Sequence, residues 1–378
     1  MKSVKFILGS QYFLYFGVLG IVLPYFNLYC YHLGFSGFQI GVLSSLRTLT
    51  TALFPMVWAA LADKFLVRRP IYILCSFIST SIWAFFLLTT DFSAMLVITI
   101  FYGIFYAPII SFLESFSMDL LGKEKTRYGH LRVWGSISFI ITVIAVGRAI
   151  DALSTEIIVI LILAGSMAHA VLSLNIPTAK KTRKSDFSSG VMALLNRRVI
   201  IFLVCAFLML LSYGTYYGFF SIHLDNLGYS STFIGIAWAL ASIAEIFVMI
   251  NSDRIFKRFS FENVLIFSFL AAGLRWIILF YATSAWLILF SQLFHAVTYG
   301  AFHVASILYI DKLTPHDAKT LGQAVNNAVT YGFGIMAGFL VNGYFFDIIG
   351  ASNLFMISGV LAFSGGILLY ANKTVAAK

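Results

Sequence analysis

Apolar residues in this chain come in long stretches separated by short polar turns. Twelve such stretches can be laid out, at residues 6–31, 38–61, 70–90, 94–119, 131–150, 156–175, 199–222, 231–250, 263–282, 285–310, 319–345 and 351–371. Each is near the ~20 residues that a helix needs to cross a bilayer. The pattern therefore predicts an all-α membrane protein with twelve transmembrane helices. The connections are short except around 176–198, where IPTAKKTRKSDFSSG is polar and basic. Six stretches precede it and six follow. The expected organisation is a six-helix bundle over 1–175, a basic linker over 176–198 and a second six-helix bundle over 199–378.

Composition supports that reading. The chain is 60% hydrophobic and only 11% charged, which no globular protein of 378 residues needs. Three cysteines (Cys30, Cys75, Cys205) are too few and too scattered for a disulfide or metal framework. The start, MKSVKF followed by a long apolar run, lacks a small-residue cleavage site and reads as a first spanning helix.

The net charge of +10 is explained by where the basic residues fall. One set of connections holds Lys64, Arg68, Arg69, Lys123, Lys125, Arg127, Lys180, Lys181, Arg183, Lys184, Arg197, Arg198, Arg254, Lys257, Arg258, Lys312 and Lys319, with Lys2, Lys5, Lys373 and Lys378 at the termini. The alternate connections, LYCYHLGFSG, TTDFSA, SIHLDNLGYS, TSAW and DIIGASN, hold no Lys or Arg, and only Arg148 breaks the pattern. By the positive-inside rule both ends and the central loop lie in the cytoplasm. This expectation places the protein in a plasma membrane, the inner membrane of a bacterium, and removes nucleic acid as a partner.

The halves echo each other. LGFSGFQIG (Leu33–Gly41) and LGYSSTFIG (Leu227–Gly235) share Leu, Gly, Ser, Ile and Gly, at the same place between the first and second stretch of each half. Two pseudo-repeated bundles around a midplane site is the design of many secondary transporters. Six plus six helices with a basic central loop resembles the major facilitator superfamily. The loop ALADKFLVRRP is similar to that superfamily's loop signature, with Asp63, Lys64, Arg68 and Arg69 in place. Ala59 stands where the signature has its first Gly, and Leu66 or Val67 where it has its second. NSDRIFKRF is a degenerate counterpart in the second half. YGHLRVWGS, AEIFVMINSDRIFKR, LRWIILF and FHVASILYI together resemble the phenylpropionate permease family of that superfamily, a family related to the lactose-type oligosaccharide/proton symporters.

Ionisable side chains away from helix ends are few: Arg47, Glu114, Arg132, Glu245, Arg275, His295 and His303. A single Asp, Lys or Arg at a helix centre costs ~2.5–3.5 kcal/mol to insert, so such groups are functional candidates by default. Glu114 and Arg132 flank the second cytoplasmic loop as a charge pair, with Ser111 and Ser115 on the face of Glu114. They either grip a substrate or pin two helices. The resemblance to lactose-type symporters implies the former, since a fourth-helix carboxylate and a fifth-helix arginine hold substrate there. It also implies proton handling by carboxylate, Arg and His on the eighth to tenth helices, which here are Glu245, Arg275 and His303. Desolvation favours the protonated form of a buried carboxylate and a nearby Arg favours the ionised form, so a group switching between these states can carry a proton. A static ion pair is the other reading.

Further polar stripes are candidate substrate contacts. His295, Tyr299 and His303 lie at i, i+4 and i+8, and histidine suits proton relay or substrate hydrogen bonding. Gln323, Asn326, Asn327 and Thr330 form a stripe that must face protein or water. It lines a pore or bonds helix to helix. Tyr213, Tyr216, Tyr217 and Phe220, with Tyr12, Tyr15 and Phe16, offer aromatic walls for a ring-bearing substrate or a sugar face, or a plain core. Arg47, nearer the outer face, is placed to attract an anion. The pairs Gly214/Gly218 and Gly334/Gly338 read as small-residue packing.

No phosphate-binding loop, metal cluster or G-x-S-x-G nucleophile motif is seen, so the chain is not expected to be an enzyme. The expected function is proton-coupled import of a small organic solute by alternating access, with no cofactor beyond the proton gradient. The family resemblance implies an aromatic carboxylate such as phenylpropionate. A sugar or nucleoside symporter, a proton-driven efflux transporter and, in another class, a non-transporting receptor or scaffold are the alternatives. The partners expected are a small-molecule substrate, protons and the bilayer, with the protein a monomer.

Overall fold

A computed structural model describes residues 2–122, 128–177, 196–315 and 318–376. Most of the 176–198 linker and the loop residues Lys123, Lys125 and Arg127 lie outside the described residues. The described chain is helical throughout, with no strand among those residues. We number the helices α1 (Val4–His32), α2 (Gly37–Phe65), α3 (Arg68–Leu87), α4 (Phe92–Leu121), α5 (Tyr128–Ala152), α6 (Ile157–Ser173), α7 (Arg197–Asn226), α8 (Ser231–Arg258), α9 (Phe261–Tyr281), α10 (Ala285–Leu313) and α11 (Lys319–Thr374). Ten of these are long and apolar enough to cross a membrane; α6, at 17 residues, is shorter. With no water in hydrocarbon to satisfy backbone groups, helices are the form such segments must take. The protein is a multi-pass membrane protein.

Two features depart from the sequence-based segments. The eleventh and twelfth stretches form one 56-residue run, α11, with non-helical backbone at Gly350, where φ is 77° and ψ 164°. Without a Cβ, glycine reaches this region at no steric cost. Second, among the described residues three π-helical turns interrupt the helices, at Val22–Phe26, Ala296–Ala301 and Ala328–Gly334. Such insertions concentrate at functional sites, and two of these three adjoin the candidate site below.

The chain forms two compact units that interleave along the sequence. The first comprises Met1–Phe35, Leu46–Ser185 and Gly228–Ala239; the second comprises Ser36–Ser45, Asp186–Leu227 and Leu240–Lys378. Inside the first unit, Tyr72, Phe112, Leu113 and Phe116 are buried together with Leu8 and Tyr12. Inside the second, α7 packs on α11 through the glycine pairs read from the sequence. A Cβ on Gly214 would lie 2.5 Å from the Gly338 backbone, so only glycine permits that approach.

The basic loop between α2 and α3 is held by its own charges. Arg68 pairs with Asp63 at 2.8 Å and reaches Asp119 at 3.5 Å. Arg69 donates to the carbonyls of Ile176 and Leu174 at 2.6 and 2.7 Å, tying the loop to the end of α6. Leu66 has φ 57°. This is the left-handed region that favours glycine and strains a leucine.

Candidate functional site

The second unit buries a cation at the junction of α7, α9 and α10. Arg275 is fully buried. Its Nη2 donates to Gln292 Oε1 at 2.9 Å, and its Nη1 faces His295 Nδ1 at 3.0 Å, Tyr213 Oη at 3.3 Å and Thr298 Oγ1 at 3.4 Å. The guanidinium carbon lies 4.4 Å from the ring centre of Tyr216 and 4.9 Å from that of Trp276. Aromatic faces and neutral oxygens thus solvate a charge that has left water, an environment in which the cation–π contribution is greatest. Arg275 Nε has no partner among the described residues.

This cage fixes the proton on His295. A guanidinium can only donate, so His295 Nδ1 must accept and the ring carries its hydrogen on Nε2. That nitrogen points to Glu245 Oε2, 3.8 Å away. Arg275, His295 and Glu245 therefore form a chain from cation through neutral imidazole to carboxylate. Gly300 lets α10 approach α8 here: a Cβ at that position would sit 3.3 Å from Glu245 Cγ.

The His295, Tyr299 and His303 stripe predicted from spacing is a stack. Their rings are parallel to within 5°, with centroids 5.0 and 6.1 Å apart. The stack runs through the π-helical turn of α10 and ends where His303 Nδ1 meets Tyr331 Oη at 2.6 Å. Tyr331 lies in the π-helical turn of α11. Tyr213 and Tyr216 are fully buried beside the stack, with Tyr213 Oη donating to Thr298 and Tyr216 Oη to Gln292.

The α11 stripe divides. Gln323 donates to the carbonyl of Ile307 at 2.7 Å, the helix-to-helix bond that was one of its two readings. Asn327 is exposed. Asn326 is fully buried, yet neither its Oδ1 nor its Nδ2 has a hydrogen-bond partner among the described residues. Leaving such a group unmatched costs ~1–3 kcal/mol, which a bound ligand can offset.

In the first unit, no direct ion pair joins Glu114 and Arg132. Glu114 accepts from Tyr128 Oη at 3.4 Å, and the Arg132 guanidinium lies 3.8 Å from the ring centre of Phe16. Arg47, half-buried in α2, also has no hydrogen bond or ion pair to its guanidinium among the described residues. Asp63, Arg68 and Arg69 stay with the loop described above, apart from either cluster.

Sequence reasoning missed several participants. Gln292 and Thr298 flank His295 at i−3 and i+3, a signal present in the spacing. A second buried network joins Tyr72 Oη to Gln11 Oε1 at 2.9 Å and to His169 Nε2 at 3.2 Å. Tyr15, Ser76, Thr80, Tyr106, Ser166 and His169 border a cleft beside it with about 240 Å³ of open space. His169 lies in an apolar stretch, and an ionisable residue there is the signal that could have found it.

Comparison with known proteins agrees with this architecture. The uncharacterized transporter YwbF of Bacillus subtilis (strain 168) is 27% identical over 374 residues, covering 97% of this chain and 92% of that one. A probable 3-phenylpropionic acid transporter of Escherichia coli (strain K12) is 26% identical over 353 residues, 91% of each. The crystal structure of the nucleoside transporter NupG superposes with a TM-score of 0.87 at 20% identity, over 97% of this chain and 98% of that one, which establishes a shared fold. The model of the MFS_1 like family matches residues 6–357, and the chain belongs to that family of major facilitator transporters rather than to any class of enzyme.

Proposed function

We propose that the protein is a proton-coupled importer of a small aromatic carboxylate. The observation that carries the coupling is the buried Arg275–His295–Glu245 chain. Arg275 donates to His295 Nδ1, so that nitrogen offers no site for a proton and the ring presents Nε2–H toward Glu245. A proton entering the chain is therefore received by Glu245, while His295 and His303 orient it and Tyr331 closes the stack. Protonation of Glu245 removes the charge that faces His295 and loosens α8 from α10, which is how binding of a proton biases a two-state transporter.

Substrate choice follows from the first unit. Arg47 and Arg132 are cations in membrane segments, Arg132 within electrostatic reach of Glu114 but resting on Phe16, and two cations against one carboxylate favour an anion. The second unit by itself holds ring faces and polar handles in Tyr213, Tyr216, Tyr299 and the orphaned Asn326. The likeness to a probable 3-phenylpropionic acid transporter supports the same class. A nucleoside is the second reading, favoured by the fold shared with NupG and by Asn326, whose amide can pair with a base edge.

The mechanism is alternating access by rocking of residues 1–175 against 199–371. The break at Gly350 and the apolar character of α6 support a reading of twelve crossings in two sets of six. The Lys and Arg distribution supports cytoplasmic termini and a bacterial inner membrane, and the protein works as a monomer. Uptake of radiolabelled 3-phenylpropionate into proteoliposomes tests this. Accumulation driven by an inward proton gradient, competed by other arylpropionates and not by uridine or maltose, is the expected result. Competition by uridine alone would favour the nucleoside reading, and no uptake of any of the three would refute transport of these classes.

A further inference from the structure

Two carboxylates at the end where Arg148 is the only Lys or Arg of the sequence-based connections take no part in the site above. Asp347, late in the first arm of α11, accepts the backbone N–H of Gly37 on both oxygens, at 3.0 and 2.9 Å. Asp151, at the end of α5, accepts the N–H of Ser231 at 2.7 Å, the N–H of Thr232 at 2.9 Å and the Thr232 hydroxyl at 2.6 Å. Gly37 and Ser231 open α2 and α8, whose leading N–H groups have no partner within their own helix. Negative charge is favoured at that pole.

These helices have caps of their own. Ser36 Oγ accepts from Gln39 N–H while Gln39 Oε1 accepts from Ser36 N–H, and Ser230 Oγ accepts from Phe233 N–H. These caps leave the N–H groups of Gly37, Ser231 and Thr232 unmatched, and the carboxylates of distant helices take them. The two carboxylates are also copies of each other. Gly37 and Ser231 hold the same place in the repeated LGFSGFQIG and LGYSSTFIG segments. Asp151 and Asp347 each follow a glycine four residues earlier, Gly147 and Gly343. A Cβ on Gly147 would lie 2.4 Å from the Ser231 carbonyl oxygen, and one on Gly343 would lie 2.6 Å from that of Gly37, so in each copy the backbones touch. Tyr25 adds a bond to the carbonyl of Val143 at 2.6 Å in the first copy.

We propose that Asp151 and Asp347 are paired latches of the outer gate, positioning residues that set how often this end opens. This rests on the alternating-access reading. Each latch joins a residue of the first half of the sequence to one of the second, so rocking of 1–175 against 199–371 must break both. The donors are backbone N–H groups fixed in the helix starts, so the latch is released by motion and re-forms in the same register.

The test uses the full chain in proteoliposomes, with Cys30, Cys75 and Cys205 replaced by Ser. Spin labels are placed at Leu88→Cys and Trp286→Cys, two exposed sites at this end. Distance distributions are recorded with and without saturating 3-phenylpropionate. Two distances are expected, with the longer one raised about tenfold relative to the shorter by Asp151→Ala with Asp347→Ala, and less by either alone. Asp151→Asn with Asp347→Asn, which keeps an acceptor and is milder on folding, should give an intermediate rise. Ser36→Ala with Ser230→Ala, which removes ordinary caps, should leave the ratio unchanged. Two distances whose ratio neither double Asp variant alters, or that the Ser variants alter equally, would overturn the latch alone. A single distance in the unsubstituted protein under both conditions would overturn alternating access, and the latch with it.

Discussion

Replacing Arg275 with Met separates packing from coupling. The substitution removes a fully buried guanidinium and leaves a chain of similar length against Tyr216 and Trp276. Of the groups Arg275 contacts, most keep another partner. Gln292 Oε1 still accepts from Tyr216, and Tyr213 still donates to Thr298. Only His295 Nδ1 is orphaned. The cost is therefore that of one unmatched buried acceptor, ~1–3 kcal/mol, rather than the sum of four hydrogen bonds. Part of it returns because the desolvated cation is gone, which can make replacement of buried charges by apolar groups nearly neutral. Once the cation is removed, His295 can turn over and donate from Nδ1, so the Nε2–H toward Glu245 is no longer enforced. Denaturant unfolding in detergent should show a loss of no more than ~3 kcal/mol. Gradient-driven uptake should disappear while substrate exchange persists. In a double-mutant cycle, Arg275→Met and Glu245→Gln should be non-additive by at least ~0.5 kcal/mol, as expected for residues sharing a network. Additive effects, or retention of gradient-driven uptake, would refute the chain.

Other consequences follow from the same geometry. Asn326→Leu removes two unmatched polar atoms and should raise stability by ~1–3 kcal/mol in thermal unfolding while lowering uptake; a destabilised variant would mean that Asn326 is satisfied. Leu66→Gly relieves a left-handed residue and should leave stability unchanged or raise it by up to ~1 kcal/mol, with transport intact; a clear loss by unfolding assay would count against the strain. Arg47→Gln and Arg132→Gln should each raise the KM for 3-phenylpropionate about tenfold or more, matching loss of one ~1.5–3 kcal/mol charged hydrogen bond, with little change for an uncharged analogue.

Legibility in the sequence tracked how local each feature is. Helix positions followed from run length, because hydrocarbon leaves the backbone no alternative. The break at Gly350 also lay within reach, since DIIGASN marks it. The π-helical turns did not, because nothing in local spacing announces an inserted residue. At the site, Arg275, Glu245 and the His295–His303 stripe were visible as charges or periodic polar groups in apolar runs. Their order in the chain was not. Which His nitrogen meets the cation depends on α9 approaching α10, a tertiary fact. Glu114 and Arg132 lie within electrostatic reach of each other, as their closeness across a loop suggests, but the sequence does not announce that Tyr128 bonds the carboxylate and Phe16 carries the guanidinium. Asp151 and Asp347 were overlooked because a carboxylate at a helix end reads as solvent-facing until its distant partner is known.

The central claim is that Glu245 receives the coupled proton. Proton movement into proteoliposomes should be measured on adding 3-phenylpropionate without an imposed gradient, in the unsubstituted protein and in Glu245→Gln. Substrate-driven proton entry is predicted in the first and none in the second, with exchange of labelled substrate surviving in both. Proton entry that persists in Glu245→Gln would contradict the account.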